Sequence, residues 1–455
     1  MFQTDHNANQ PPGPSGLEAA RWMGRTYKNT FRAFFELSCQ YGDAVRFPFS
    51  PNRALYIFSH PDDVKHVLQD NHRNYKKAVT YSFLEPVVGK GLLTSEGDFW
   101  MRQRRIVAPM FHRRRIRTFL DQMVESTAEM LDDWEQLAEQ GESIDVAAEM
   151  SRLTLSIAGK ILFNRDIGRE SDRIGQAMTF LFRDVNKRIV SPVSIPRNVP
   201  TPHNKRVQEA IDELESIVYG LIDERRGRAD AYDDLLSMLM LAEDEETGER
   251  MTDRQIRDEV MTFMIAGHET TSNALAWTFY LLSLHPDIRR MLQDEIDHGL
   301  DGQMPTHEEL ERLDYVDMVL DESMRLYPPA WTIEREPIED DQIGDYDVPA
   351  GSIVVVGPYF VHHNPEIWEN PEGFDPERFG PMGSRPDHRY AHFPFGGGPR
   401  MCVGSHFAMM EARLIVAAVT RRFHLDIVPG QNIEPEGTVT LYPKSGIDMD
   451  LTRRS

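Results

Sequence analysis

The sequence predicts a mainly α protein with small β-sheets, an α+β fold in one large domain. Three observations predict it. Apolar residues recur at helical spacing through most of the chain from Arg114 onward. Strand-like runs are short and confined to the first sixty residues and the last hundred or so. No internal repeat, low-complexity tract or domain-dividing linker interrupts the 455 residues.

Taken in order, a Pro/Gly-rich start is expected to be a loose lead-in over 1–18, with one domain over 19–455. A helix carrying Cys39 follows. Alternation predicts strands at Ala44–Phe49 and Ala54–Phe58, then a helix over Pro61–Gln69. Helical patterns run from Arg114 to Asn164, over Arg173–Arg188 and Arg206–Glu224, and near Asp233–Ala242. Between the middle pair, the prolines of 191–204 stop the helix and predict a surface loop. Thr252 and Gln255 form a capping-box pair that opens a long apolar helix ending before Pro286. Strands return at Ile353–Val356, His424–Val428 and Val439–Leu441.

Charge and cysteine content exclude several functions. With 50 basic and 73 acidic residues the formal charge is −23, which disfavours nucleic acid and anionic membrane surfaces. Two cysteines, Cys39 and Cys402, make no disulfide framework or zinc site and suit a reducing compartment. The first residues lack a signal-peptide pattern, and no apolar run reaches membrane-span length. A cytoplasmic monomer is the expectation.

The segment Phe393–Glu411 carries the strongest chemistry. Gly396, Gly397 and Gly398 precede Cys402; Gly404 follows and opens a helical pattern. A cysteine at a helix entrance gains from free N–H groups and the positive helix end, which favour thiolate. Glycines let backbone approach a flat ligand. A lone cysteine is more often a core residue, but Phe395, Gly398, Arg400, Cys402 and Gly404 together spell F-x-x-G-x-R-x-C-x-G. This resembles the signature of the cytochrome P450 haem-thiolate monooxygenases.

Three further segments extend the resemblance. Glu322 and Arg325 match E-x-x-R, and Pro376–Phe379 matches P-E-R-F; in the family Glu322, Arg325 and Arg378 would form a buried charged triad. Ala266, Gly267, Glu269 and Thr270 match A-G-x-x-T inside the long helix. Glycine and threonines there weaken a helix unless something justifies them. The resemblance supplies a reason: Thr270 turns toward the Ala266 carbonyl, opening a groove for dioxygen, with Glu269 as its acid partner. Trp100 and Arg104 match W-x-x-x-R, two donors on one helix face.

The resemblance implies the P450 fold, with haem b between the oxygen-groove helix and the cysteine-loop helix. Cys402 would ligate the iron. Trp100, Arg104 and Arg400 would hold propionates, with Ala266, Gly267, Phe395 and Gly404 lining the cofactor. Glu269 and Thr270 would relay protons. The implied reaction is hydroxylation of an unactivated C–H bond using O2 and two electrons from a separate ferredoxin or flavodoxin with its reductase. Candidate substrate contacts are Phe83, Leu84, Val87, Phe263, Ala330 and Trp331, mostly apolar, so a hydrophobic substrate is expected: fatty acid first, then terpenoid, carotenoid or steroid. Segment 191–204 would be part of a lid. The arginines at 102, 105, 113, 114 and 115 form a basic run in an acidic chain and read as a docking patch. A peroxide-driven peroxygenase and a non-catalytic haem sensor are the alternatives.

Overall fold

A computed structural model describes residues 9–50, 53–164, 168–190 and 195–454. Helices dominate. The long helix Asp253–Leu284 runs through the centre and packs against Val146–Phe163, Pro202–Arg225, Asp314–Leu326 and Ser405–Arg422. Its capping box forms in both directions: Thr252 N–H donates to Gln255 Oε1 at 2.7 Å, and Gln255 N–H donates to Thr252 Oγ1 at 3.4 Å. It ends at Leu284, before Pro286, as its sequence requires.

The β structure is small and peripheral. A five-stranded sheet has the order Ala44–Ser50, Arg53–Phe58, Ile353–Val356, Ile333–Pro337, Tyr75–Lys77. Its one parallel pairing sets Leu55 opposite Ile353, so strands distant in sequence share one sheet. A three-stranded sheet joins Ser143–Asp145, Asp448–Arg453 and Phe423–Ile427. A hairpin pairs Pro435–Gly437 with Leu441–Pro443, and its tip reaches the central helix.

Several expectations are redrawn. The continuous helical reading of 114–164 is broken at Gly141, which closes Leu120–Gln140 in the left-handed region with φ 68°. A short strand follows, and Asp145 then caps Val146–Phe163 through Ala147 N–H at 3.0 Å. The helix expected over 61–69 gives way to a π turn at His66–Asp70. Of the lead-in, residues 1–8 lie outside the described residues. Residues 9–14 are tied down: Arg46 N–H donates to Pro12 O at 2.9 Å, Asn9 N–H to Asp347 Oδ2 at 3.1 Å, and helix begins at Gly16. Cys39, carried on the helix Thr30–Tyr41, is exposed. Among the described residues no helix is long and apolar enough to cross a membrane.

Candidate active site

Two helices frame the site. The central helix presents Ala266, Gly267 and Thr270. The Ser405–Arg422 helix begins three residues after Cys402 and packs against the central helix.

Thr270 Oγ1 donates to the Ala266 carbonyl at 2.6 Å, the turn expected from the sequence. Ala266 is exposed in mid-helix although Met264, Ile265 and His268 around it are buried. A Cβ placed on Gly267 would meet no atom within 4 Å. This stretch therefore borders open space inside the fold. His268 faces the other way, bonded to Ser151 Oγ at 2.8 Å, and burial pushes it down to about 4, so it anchors the helix as a neutral ring.

Glu269 accepts from Thr440 Oγ1 at 2.8 Å, and its Oε2 is buried without a partner among the described residues. Burial pushes its carboxyl up to about 7, opposed by the Thr440 bond. It is thus poised to exchange a proton near neutrality.

The cysteine loop is shaped by close packing. Cys402 N–H donates to Phe395 O at 2.9 Å, closing the loop. Gly398 has φ 64°, and a Cβ there would lie 1.8 Å from the Leu68 carbonyl oxygen, so glycine is required. Cys402 is accessible on its surface although protein encloses it, so its sulfur also faces an internal space. Burial pushes the thiol up; the Gly404 N–H and the Arg104 guanidinium pull it back.

Beside this space Arg400 lies over the Trp100 ring, 4.2 Å from its centroid, and is ion-paired with Glu96. Arg104 stands near Cys402, and burial pushes its guanidinium down. Sequence reasoning missed Lys77, which belongs to the same group. Its Nζ donates to the carbonyls of Leu92 and Ser95 at 2.9 Å, and burial with Arg400 alongside pushes it down to about 6. Arg335 adds another positive charge here. Glu96, the carboxylate paired with Arg400, and Thr440 were missed too; none lies in a motif. A surplus of cationic donors beside a thiol and a Cβ-free groove fits a flat group with one soft-ligand metal and two carboxylates, as haem b has. Trp100, Arg104, Arg400 and Lys77 would hold the carboxylates, and Cys402 the iron.

Glu322, Arg325 and Arg378 come together below this loop. Arg325 Nε donates to Glu322 Oε2 at 2.7 Å and its Nη2 to Oε1 at 2.9 Å, while Arg378 Nε reaches Oε1 at 3.3 Å. All three side chains are buried.

The expected substrate contacts divide. Phe263 is partly buried and stands edge-on to Phe111, centroids 5.3 Å apart. Phe83 and Ala330 are partly exposed, whereas Leu84 and Val87 are buried in the main core. The ring of Trp331 packs with Phe31, Phe34 and Phe360, and its Nε1 donates to Thr438 O at 2.8 Å, so it also holds the hairpin. In the expected lid, 191–194 lie outside the described residues. Arg197 pairs with Asp184 at 3.0 Å and donates to Phe83 O at 3.4 Å.

The basic run divides too. Arg102 pairs with Glu249, Arg105 with Asp244 at 3.0 Å and Glu246 at 3.1 Å, and Arg115 with Asp233. Spacing in sequence could not reveal these carboxylates from distant segments. Arg113 and Arg114 are exposed and have no acidic partner among the described residues. Arg113 Nε contacts His406 Nε2 at 3.4 Å, beside the cysteine loop.

Comparison with known proteins agrees with this geometry. The family described as Cytochrome P450 matches residues 11–448. The cyclooctat-9-en-7-ol 5-monooxygenase of Streptomyces melanosporofaciens is 36% identical over 394 residues, 86% of this chain and 84% of that protein. The chloroplastic protein LUTEIN DEFICIENT 5 of Arabidopsis thaliana is 31% identical over 448 residues, 93% of this chain and 74% of that protein. The crystal structure of the cytochrome P450DA heme domain superposes with a TM-score of 0.89 at 28% identity, covering 98% of each chain. Motifs, fold and relatives converge, and the chain belongs to the cytochrome P450 family as a monooxygenase.

Proposed function

We propose that this monooxygenase hydroxylates an unactivated C–H bond of a bulky hydrophobic substrate, with Cys402 as the axial ligand of haem b. The bond from Thr270 Oγ1 to the Ala266 carbonyl, set beside a glycine with open space, carries this reading. Haem, when bound, supplies the oxygen activation and C–H oxidation. The side chains do the rest. Arg104 and the Gly404 N–H favour the thiolate form of Cys402. Trp100, Arg104, Arg400 and Lys77 orient the cofactor through its carboxylates. Thr270 holds the groove open, and Glu269 carries protons to its hydroxyl side. Phe263 and Phe83 supply apolar walls that exclude water.

The substrate reading shifts with the relatives. One is named for cyclooctat-9-en-7-ol and another, from Arabidopsis thaliana, is a carotene epsilon-monooxygenase. These names favour terpenoid or carotenoid substrates over fatty acids. Electrons come from a separate acidic ferredoxin or flavodoxin that docks over the cysteine loop at Arg113 and Arg114.

The decisive test is the carbon monoxide difference spectrum of the reduced protein. The red-shifted thiolate band is expected in the wild type and absent in Cys402→Ala; its survival there would refute the ligand. A spin-state screen of terpenoids, carotenoids, steroids and fatty acids then ranks substrates. Product formed only with peroxide would replace the monooxygenase cycle by a peroxygenase.

A further inference from the structure

The C-terminal hairpin places a residue on the proton donor that no sequence motif marks. We propose that Thr440 is a positioning residue for Glu269, fixing one carboxyl oxygen so that the other exchanges the proton delivered to the oxygen groove. This rests on the proposed monooxygenase function.

The bonding order is directional. Asn273 Nδ2 donates to Thr440 Oγ1 at 3.2 Å, so the single hydroxyl proton of Thr440 is free to go to Glu269 Oε1 at 2.8 Å. Oε2 has no partner. The hairpin tip is held firmly enough to aim this bond: Trp277 Nε1 donates to Leu441 O at 3.3 Å, Trp331 Nε1 to Thr438 O at 2.8 Å, and Leu441 N–H to Pro329 O at 2.9 Å. Three segments far apart in sequence thus fix one carboxylate.

The surroundings leave Thr440 as the bonded group that sets this acid. Tyr442, on the same hairpin, spends its hydroxyl on Glu436 at 2.6 Å and feels Arg183 and Glu269 only through space. On the central helix, His268 is turned to Ser151 and the Thr270 hydroxyl to Ala266. Glu411, on the cysteine helix, stands by Thr271. A hydroxyl donating to a carboxylate stabilises the charged form, so Thr440 holds Glu269 below the value that burial alone would give.

The test is a pH titration of the Glu269 carboxyl by difference infrared spectroscopy on the ferric holoprotein, its band identified by disappearance in Glu269→Gln. Thr440→Val is expected to move the titration upward by about one pH unit or more, the worth of one hydrogen bond to a charged group. Thr440→Ser should restore it. In turnover, Thr440→Val should raise the share of electrons lost as peroxide several-fold, with Thr440→Ser again near wild type. If Thr440→Val fails to fold, Asn273→Ala, which frees the Thr440 hydroxyl to rotate, should alter the titration as well. An unchanged titration in a folded variant overturns the proposal, as does failure of serine to rescue. A wild type lacking the thiolate carbon monoxide band would instead overturn the function on which it rests.

Discussion

Arg325 Nε lies 2.7 Å from Glu322 Oε2, and both side chains are fully shut off from solvent. The guanidinium is used completely. Beyond Glu322 it donates to the carbonyls of His362 at 2.8 Å, Pro371 at 2.7 Å and Gly373 at 2.9 Å. His362 in turn accepts the Phe393 N–H at 3.2 Å, at the start of the cysteine loop. The pair therefore fixes the carbonyls and the loop that shape the site from below.

Breaking this pair should be severe. Glu322→Ala leaves a buried guanidinium uncompensated and is expected to cost about 3–5 kcal/mol. Arg325→Lys should behave nearly as badly, because one ammonium cannot serve the fork and the three carbonyls at once. Thermal unfolding and the yield of soluble haem protein measure both. A Lys variant that melts within a few degrees of wild type would remove the argument.

Gly398→Ala tests the loop itself. Its φ of 64° and the Leu68 carbonyl 1.8 Å from any added Cβ exclude even a methyl group. We expect a loss of at least about 2 kcal/mol and a several-fold fall in haem content per chain. Gly220→Ala, in the helix Pro202–Arg225, is the control, because a Cβ there meets nothing within 4 Å among the described residues. Absorbance ratios of Soret to protein bands separate the two.

Much of this was legible in the sequence where the chemistry is local. Thr270 reaches a carbonyl four residues back, and Glu322 meets Arg325 three residues on, so spacing alone brings them together. Cys402, Gly398 and Gly404 sit within one loop. What could not be read depends on chain returning from afar. Thr440 meets Glu269 from a terminal hairpin, and Lys77, on the edge strand Tyr75–Lys77, feels the charge of Arg400 in the cysteine loop. The same limit hid the ion pairs of the arginine run: the partners of Arg105 lie about 140 residues away, in the acidic turn after Leu235–Leu241.

Charge reversal separates docking from structure in that run. Arg113→Glu with Arg114→Glu touches no ion pair among the described residues and should leave the melting temperature near wild type. Reduction by an acidic ferredoxin at low salt should fall about tenfold and lose most of its salt dependence. Arg105→Glu sets like charges against Asp244 and Glu246, so it should lower stability with a smaller effect on docking. Stopped-flow reduction under carbon monoxide, across a salt series, reads all three. A double variant reduced as fast as wild type would exclude this patch.

Glu411 gives a pH signature of a buried acid. It lies on the cysteine helix, buried, with Thr271 of the central helix beside it and Oε2 without a partner among the described residues. Burial pushes its carboxyl up to about 8 from an ordinary 4.5, and Thr271 opposes this only in part. A folded-state value above the unfolded one means that the unfolded chain releases the proton first as pH rises. Stability from the neutral carboxyl is thus fully present below about pH 4.5 and is lost progressively up to about pH 8. Glu411→Gln keeps the shape and never ionises. Its stability should match wild type near pH 4.5 and exceed it by up to about 5 kcal/mol at pH 9, reading the shift as free energy. Denaturant unfolding at pH 5, 7 and 9 measures the difference. A gap that stays constant with pH would show that Glu411 ionises normally and that water or a cation reaches it between the two helices.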